Sequence, residues 1–264
     1  MKKLYALILG SSSGFGKAIA VGLAKSGVNI IGVHLDRSTT MPDVENLKEE
    51  LKSYNVDVHF YNVNAADSGK RTDVINNIKE IFSKQEDPEL KVLLHSLAFG
   101  TLKHFIAKES SEMINQKQIE MTLDVMANSL VYWTQDVIRE GLMHRGGKIY
   151  AMTSSGGQRQ IEFYGAVSAA KACLESYIRQ FAMELGSMGI SANAIRAGVT
   201  ATPALSKIPK SENIVANAIQ RNPEHRLTKV EEVAEFIVDN YKNDSHWMTG
   251  NIINLDGGES VVEL

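Results

Sequence analysis

The chain has little of what several classes of protein require. Among its 264 residues there is one cysteine, Cys173, which excludes a disulfide framework and a metal site built from several thiolates. The formal charge of −3 creates no basic field, so no nucleic-acid partner is expected. No stretch approaches the roughly 18 apolar residues of a membrane span, and the apolar run Leu4–Leu9 is too short for a signal peptide. The sequence therefore predicts a cytoplasmic globular protein without a metal or a membrane partner.

Short apolar runs alternate with amphipathic segments along the chain. The runs predict strands at Leu4–Leu9, Val28–Val33, Val56–Val63, Lys91–His95, Gly147–Met152, Ser191–Ile195 and Asn251–Leu255. The segments between them predict helices at Gly16–Ser26, Val44–Tyr54, Ser68–Ser83, Glu112–His144, Tyr164–Met188 and Lys229–Asn240. Strands that are apolar throughout are typical of a parallel sheet covered on both faces. We therefore expect one α/β domain over residues 1–264, with a doubly wound parallel sheet of about seven strands.

One connection breaks this alternation. The segment 197–222 joins the sixth strand to the last helix and contains Pro203 and Pro209. A loop of that length in a compact domain is usually a functional lid or a disordered segment. We therefore predict a substrate loop at about residues 197–222.

A glycine-rich turn joins the first strand to the first helix. It reads Gly10-Ser11-Ser12-Ser13-Gly14-Phe15-Gly16. Glycines allow a tight turn and a close approach of the backbone to a pyrophosphate, and the helix N-terminus adds free N–H groups. The strand before the turn and the helix after it supply the context that such a site needs. The sequence therefore predicts a Rossmann-type dinucleotide site formed by Gly10, Ser12, Ser13, Gly14, Phe15 and Gly16.

The end of the second strand carries side chains that can contact the adenosine ribose. In Rossmann-type folds an acidic side chain there binds the 2′-hydroxyl of NADH, whereas a basic one accepts the 2′-phosphate of NADPH. Asp36 favours NADH, and His34 and Arg37 favour NADPH. The choice between the two cofactors stays open at this point.

The spacing G-x-x-x-G-x-G of the turn resembles that of the short-chain dehydrogenase/reductase family. The resemblance implies that Asn62 and Val63, which close the third strand, pack against the adenine. After the fourth strand, the stretch that begins at His95 is similar to the H-S-x-A-F form of the enoyl-acyl-carrier-protein reductases. The contacts that it implies are those of Ser96, Leu97 and Ala98 with the cofactor and of Phe99 and Gly100 with the substrate. His95 taken alone is equally a buried core histidine.

Tyr164 and Lys171 are seven residues apart in a predicted helix. A reductase needs a proton donor beside the oxygen of its substrate, and a nearby cation lowers the pKa of a tyrosine and makes it a better donor. Residues seven apart share one helical face at a separation of two turns. Tyr164 can therefore donate the proton, while Lys171 supplies the cation and holds the ribose of the cofactor.

This spacing resembles that of enoyl-thioester reductases, whereas most members of the family place the pair four residues apart. The common tyrosine position holds Val167 in this chain. The position of a catalytic asparagine holds Met126, although a shift of two residues would place Asn128 there. Ser154 stands where ketone-reducing members keep a carbonyl-polarising serine, so it is compatible with both reactions. The resemblance thus implies catalytic roles for Tyr164, Lys171 and Ser154.

The residues after the sixth strand extend the resemblance, which covers the chain from Leu4 to Gly258. Ala197-Gly198 replaces the Pro-Gly of most family members and is similar to the enoyl reductases. The same comparison implies that Thr200 and Thr202 contact the cofactor and that Ala204 and Leu205 contact an acyl chain.

As a whole, the resemblance implies hydride transfer from NADH or NADPH to the 2,3 double bond of an enoyl thioester on acyl-carrier protein or coenzyme A. Tyr164 would protonate the enolate directly or through the cofactor ribose. A homodimer or homotetramer is also implied. The alternatives are a ketoreductase or alcohol dehydrogenase similar to the 3-oxoacyl-thioester reductases, and an NAD(P)-binding regulator without turnover. Intact Tyr164, Lys171 and Ser154 argue against the regulator.

Overall fold

In a computed structural model, which describes residues 2–262, one parallel sheet of seven strands organises the chain. Its strands are β1 (Lys3–Leu9), β2 (Asn29–His34), β3 (Val58–Asn62), β4 (Pro88–His95), β5 (Lys148–Thr153), β6 (Ser191–Ala197) and β7 (Ile252–Leu255). The strand order is β3-β2-β1-β4-β5-β6-β7, and every adjacent pair is parallel. The predicted fold, a doubly wound α/β sheet of the Rossmann type, is confirmed. The predicted domain limits 1–264 include Met1 and residues 263–264, which lie outside the described residues.

Helices cover both faces of this sheet. They are α1 (Gly14–Lys25), α2 (Met41–Lys52), α3 (Ser68–Ser83), α4 (Gln116–Leu123), α5 (Ser129–Arg139), α6 (Gly165–Leu185), α7 (Ser211–Arg221) and α8 (Val230–Tyr241). Successive side chains of a strand point to opposite faces. In β1, Leu7 and Leu9 belong to the core under α3, α5 and α6, whereas Ala6 and Ile8 belong to the core under α1, α2 and α8. Two buried faces explain why the central strands are mainly apolar, whereas the edge strands β3 and β7 are only partly buried.

The strand order creates a crevice at the carboxyl edge of the sheet. The chain runs outward from β1 to β2 and β3, and then places β4 on the other side of β1. The connections that follow β1 and β4 therefore diverge, and ligands of such sheets bind in the crevice between them. The glycine turn, Ser96–Gly100, Ser154 and the segment after β6 all leave the sheet at this edge. In the range 2–262, no helix is long and apolar enough to cross a membrane.

The predicted helix Glu112–His144 is shorter in the structure and contains a π-helical segment. A short 3-10 turn at Ser110–Glu112 precedes α4, and a π-helical segment, Asp124–Asn128, separates α4 from α5. The start of α4 is fixed by Asn115, which forms a reciprocal capping box with Gln118. Helical residues run without a break from Gln116 to Arg139, so the prediction is right in its centre and too long at both ends, and apolar periodicity does not reveal the π-helical insertion.

The predicted loop 197–222 is a loop only in its first half. Its second half forms α7, in which Ala218 is fully buried. Ile214, Val215 and Ala218 have the spacing of one helical face. The prolines of the segment precede α7 and do not interrupt it, so they are no evidence against a helix there.

Candidate active site

The glycine turn holds β1 against β4 at the crevice. Gly10 has a φ of +88°, and a Cβ there would lie 2.4 Å from the carbonyl oxygen of Ser96. A Cβ at Gly16 would lie 1.9 Å from the carbonyl oxygen of Gly10. Both contacts are with backbone atoms, so only glycine fits at these two positions.

The amino end of α1 opens onto this turn. Ser13 is the N-cap residue of α1, and its side chain makes no capping hydrogen bond. The first N–H groups of the helix can therefore bind an anion. Gly14 has a φ of +52°, and a Cβ there would lie 3.5 Å from the Thr202 side chain. The cradle bounded by the glycine turn, the end of α1 and Thr202 fits the pyrophosphate of a dinucleotide.

The predicted ribose site is built around Asp36. The Nδ1 atom of His34 lies 2.9 Å from Oδ2 of Asp36, and the Thr40 hydroxyl donates to Oδ1 at 2.9 Å. The side chain of Asn62 binds the N–H and the carbonyl oxygen of Asp36. Burial acts to raise the pKa of Asp36, but hydrogen bonds from three neighbouring side chains, Ser12 among them, outweigh burial and lower that pKa. Asp36 is thus a fixed carboxylate at the end of β2.

The other residues predicted to contact the adenosine surround Asp36. His34 is 3% exposed, so it acts on the site through Asp36 rather than by a contact of its own. Asn62 likewise holds the backbone of Asp36. The N–H of Val63 donates to the carbonyl oxygen of His34 at 2.8 Å, and Arg37 is exposed at the rim.

The stretch after β4 leads from the crevice to the surface. The N–H of Ser96 donates to the carbonyl oxygen of Leu9 at 2.8 Å, which extends the pairing of β1 with β4. The Leu97 side chain would lie 3.3 Å from a Cβ at Gly10. Ala98 is exposed, and Phe99 is 56% exposed. Ser96 and Leu97 thus border the glycine turn, whereas Ala98 and Phe99 are exposed further along the stretch.

His95 is a buried core histidine. Its Nε2 lies 2.9 Å from the hydroxyl of Ser129, which donates to the Val125 carbonyl oxygen at 2.8 Å. Burial, together with the charge of Lys171, lowers the pKa of His95 to about 3. The ring is therefore neutral at physiological pH and cannot act there as a cationic acid.

Lys171 projects from α6 beneath the carboxyl end of β5. The side chain is buried, and its Nζ donates a hydrogen bond to the carbonyl oxygen of Met152 at 2.7 Å. Burial lowers the pKa of Lys171 to about 8, while the negative charge of Glu175 acts in the opposite direction. An ammonium has three hydrogens, so the two that Met152 does not use can bind ribose hydroxyls.

Tyr164 is the N-cap residue of α6 and lies beside Ser154. A Cβ at Gly156 would be 2.6 Å from Cε1 of Tyr164 and 3.2 Å from Oγ of Ser154. Oγ of Ser154 is buried and makes no hydrogen bond of ordinary geometry to any described residue. Burial raises the pKa of Tyr164, and the Ser154 hydroxyl opposes part of that rise. The sequence predicted that a nearby cation lowers the pKa of Tyr164, but burial has the larger effect and raises it. The phenol therefore keeps its proton at neutral pH.

A substitution at Gly156 tests the position of the Tyr164 ring. Gly156→Ala places a methyl group against the Tyr164 ring, so we expect kcat to fall by roughly tenfold or more through displacement of the proton donor. Gly186→Ala is the matched control, because a Cβ at Gly186 meets nothing within 4 Å. Steady-state kinetics and a thermal melt of both variants make the comparison. An unchanged kcat for a folded Gly156→Ala variant would contradict the position of the phenol.

Two of the positions that the family resemblance assigns to catalysis in ketone reducers, 167 and 126, hold apolar side chains. A Cβ at Gly100 would lie 2.8 Å from Cγ2 of Val167, 2.8 Å from Cγ2 of Thr122 and 2.9 Å from Sδ of Met126. Val167 and Met126 are both buried. Asn128, the possible replacement for the missing asparagine, accepts a hydrogen bond from the Tyr177 hydroxyl at 2.8 Å instead. In this region the phenol that lies beside Ser154 is that of Tyr164.

The residues predicted in the segment after β6 do not all reach the glycine turn. Thr200 is buried, and its hydroxyl donates to the carbonyl oxygen of Gly198 at 2.9 Å. Thr202 borders Gly14, as described above, and its Oγ1 accepts a bond from the N–H of Leu205 at 3.3 Å. Ala204 and Leu205 are half-buried at the start of the segment that leads to α7. Thr202 is therefore the residue of this segment that the structure brings to the glycine turn.

Two charged residues beneath the site escaped the sequence analysis. Glu175 and Arg196 are buried and form an ion pair at 3.3 Å. Their signal is weak, since a Glu four residues after Lys171 is only one more polar residue on a helix. Within the described part of the chain, no group of three or more His, Cys, Asp or Glu side chains is arranged to hold a metal ion.

Comparison with known proteins shows the family of the chain. A family model described as enoyl-(acyl carrier protein) reductase matches residues 10–260. A 3-oxoacyl-(acyl-carrier-protein) reductase of Buchnera aphidicola is 26% identical in a match of 259 residues that covers 96% of this chain and 96% of that protein. An enoyl-(acyl-carrier-protein) reductase (NADH) of Aquifex aeolicus is 26% identical over 249 residues, covering 93% of this chain and 88% of that protein.

Solved structures support the fold alone, because their identity to this chain is low. FabI from Candidatus Liberibacter asiaticus superposes with a TM-score of 0.85 at 23% identity, over 100% of this chain and 97% of the other. The sequence relatives are named for two different reactions, so they do not decide between them. The family model, however, covers nearly the whole sequence. The chain belongs to the short-chain dehydrogenase/reductase family of NAD(P)H-dependent oxidoreductases.

Proposed function

We propose that the protein reduces the 2,3 double bond of an enoyl thioester carried by acyl-carrier protein or coenzyme A. The observation that supports this most is the apolar filling of the ketone-reducer positions, where Val167 and Met126 pack against Gly100. Neither side chain can donate a proton. The acid that remains, Tyr164, stands two turns from Lys171 and about 5 Å further along the helix axis than a donor at position 167 would. A displaced donor suits a substrate whose enolate oxygen is separated from the carbon that receives hydride.

Each residue of the site has a role in this reaction. A bound reduced nicotinamide would supply the hydride. Lys171, anchored on the Met152 carbonyl oxygen, holds the ribose and keeps a positive charge beneath the site. Burial raises the pKa of Tyr164, so the phenol keeps its proton until it transfers that proton to the enolate. The Ser154 hydroxyl, which has no partner of ordinary geometry among residues 2–262, can donate to the thioester oxygen.

A direct comparison of substrates tests the proposal. Oxidation of NADH and NADPH is followed with crotonyl and acetoacetyl thioesters of coenzyme A and of acyl-carrier protein. We expect kcat/KM for the crotonyl thioester to exceed that for the acetoacetyl thioester. The reverse order would favour 3-oxoacyl reduction, the second candidate, which Ser154 and the name of the Buchnera relative support. The homodimer or homotetramer implied by the resemblance stays a prediction, tested by sedimentation at micromolar concentration.

For the cofactor we propose NADH. The Asp36 carboxylate is held by His34 and Thr40, and a fixed negative charge there repels a 2′-phosphate. We expect Asp36→Asn to reduce the preference for NADH over NADPH by about tenfold, which corresponds to roughly 1.4 kcal/mol. Asp43→Asn, an exposed acid in the first turn of α2, is the control for loss of one surface charge. Titration of both cofactors by fluorescence gives the ratio, and a preference for NADPH in the unsubstituted protein would contradict the assignment.

A further inference from the structure

The residue before Tyr164 has an unusual backbone conformation. Residues Ile161–Tyr164 form a turn, which is closed by a hydrogen bond of 3.1 Å from the Tyr164 N–H to the Ile161 carbonyl oxygen. Phe163, the third residue of this turn, has a φ of +65°. This left-handed region suits glycine and is rarely occupied by a bulky residue. A residue keeps such a conformation only where surrounding contacts outweigh its cost, so the contacts of the Phe163 ring hold the turn in this shape.

Two consecutive residues of the loop after β4 contact the residues on either side of Tyr164. The ring of His104 lies 4.3 Å from that of Phe163, from centroid to centroid, at an interplanar angle of 51°. A Cβ at Gly165 would lie 2.8 Å from Cζ of Phe105, so the Phe105 ring lies against the first residue of α6. The loop after β4 therefore holds the chain immediately before and immediately after the proton donor.

A further contact to Phe163 comes from the segment 197–222. Nζ of Lys210 lies 5.8 Å from the centroid of the Phe163 ring, within the range of a cation–π interaction, and donates to Oε2 of Glu162 at 2.7 Å. Lys210 is the N-cap residue of α7 and has a φ of +59°. Of the five non-glycine residues with a positive φ in residues 2–262, two thus contact each other. The Phe163 ring connects the turn before α6 to both loops that border the crevice.

We propose that Phe163 is a positioning residue for the proton donor, Tyr164. Its ring, held by His104 and Lys210, keeps the turn in the left-handed conformation that places the phenol beside Ser154. The inference rests on the role proposed above for Tyr164 as the acid. Tyr164 closes the turn and is also the N-cap residue of α6, so a change of φ at position 163 would reorient the phenol. A displacement of about 1 Å at a reacting group can lower the rate by about 10²-fold.

Substitutions of Phe163 test this role in kcat, measured with whichever of the crotonyl and acetoacetyl thioesters the unsubstituted protein reduces faster. Phe163→Ala removes the ring and leaves a residue that disfavours the left-handed φ, so we expect kcat to fall by about 10- to 100-fold. The solvent deuterium isotope effect on kcat should rise, because proton transfer becomes slower, while the Kd of NADH should not change. Phe163→Tyr keeps the ring and should retain most of kcat.

Asn55→Ala is the matched control for backbone strain. Asn55 is exposed and has a φ of +60° between α2 and β3, at the edge of the sheet opposite the crevice. The variant places alanine in the same left-handed conformation as Phe163→Ala does. It should lower the melting temperature and leave both kcat and the isotope effect unchanged.

Hydrogen exchange followed by mass spectrometry tests the geometry without any substrate. The N–H of Tyr164 closes the turn, and the N–H of Ser168 donates to the Tyr164 carbonyl oxygen at 2.7 Å. Both amides should exchange faster in Phe163→Ala than in the unsubstituted protein, and Asn55→Ala should leave them unchanged. His104→Ala removes one contact of the ring and leaves Phe163 in place. It should show a smaller effect in the same direction, and it gives the test a second variant if Phe163→Ala does not fold.

The possible outcomes separate this inference from the enoyl reaction. Unchanged kcat or unchanged exchange in a folded Phe163→Ala variant would overturn the role of Phe163. An equal loss of kcat in Phe163→Tyr would also overturn it, because the aromatic ring would then not be what holds the turn. Full activity of Tyr164→Phe would overturn it through the donor. Faster reduction of the acetoacetyl thioester contradicts enoyl reduction alone, since every comparison between variants can be made with that substrate.

Discussion

Tyr164→Phe is expected to lower kcat for an enoyl thioester by about 10²–10⁴-fold, the usual contribution of general acid catalysis. The ring lies against Gly156 beside Ser154, so Phe keeps these contacts and removes only the hydroxyl. NADH affinity should change little, because Lys171 holds the ribose and is anchored independently on the Met152 carbonyl oxygen. Steady-state kinetics and a fluorescence titration of NADH measure the two quantities separately.

A rescue experiment in the same background tests the spacing of Tyr164 and Lys171. Val167→Tyr places a phenol at the common position, one turn nearer Lys171, where we expect no recovery of enoyl reduction. Val167 is 4% exposed and packs against Gly100, so any large ring there must displace its neighbours. Val167→Phe in the Tyr164→Phe background is therefore the control for size. Recovery with Tyr but not with Phe, or full activity of Tyr164→Phe alone, would contradict the assignment and favour a ketoreductase.

The sheet and the glycine turn could be predicted because their signals are local. The strand predicted at Leu4–Leu9 differs by one residue from β1. The glycine turn that follows is recognisable because it lies between a strand and a helix. Gly10 and Gly16 stand where a Cβ would meet backbone oxygens. A parallel sheet with two covered faces also leaves a clear trace, since its strands need no polar alternation.

The π-helical insertion between α4 and α5 and the helix α7 could not be placed in the same way. A π-helical insertion such as Asp124–Asn128 preserves the apolar composition and shifts only the register, which a pattern of period 3.6 does not resolve. For α7, the prolines before Ser211 favour a loop, whereas the spacing of the apolar residues after Ser211 is that of a helix. In both places the pattern of apolar residues is compatible with more than one structure.

At the site, contacts between residues that are far apart in the sequence could not be predicted. Asp36 was recognised, but its fixation by Asn62 depends on the pairing of β2 with β3. The contact between Glu175 and Arg196 joins α6 to β6 and has no sequence spacing of its own. The direction of the Tyr164 pKa was also missed, because burial, the dominant cause, is a property of the folded chain.

Gly14→Val is expected to weaken NADH binding by at least ~10²-fold, which is about 2.7 kcal/mol. The first N–H groups of α1 form the cradle for the pyrophosphate, and a valine side chain would occupy the space beside them. Valine also resists the φ of +52° that Gly14 adopts. The fold should survive, because the neighbour of a Cβ at Gly14 is the Thr202 side chain at 3.5 Å, whereas at Gly10 and Gly16 it is backbone.

Gly27→Val is the control that separates backbone strain from loss of the cradle. Gly27 has a φ of +87° at the far end of α1, and a Cβ there meets nothing within 4 Å. Gly27→Val should therefore lower the melting temperature through backbone strain alone and leave NADH affinity unchanged. Fluorescence titration and thermal melts of both variants give the comparison. Wild-type affinity in a folded Gly14→Val variant would mean that the pyrophosphate does not lie against this turn, and the cofactor site assigned to the end of α1 would be wrong.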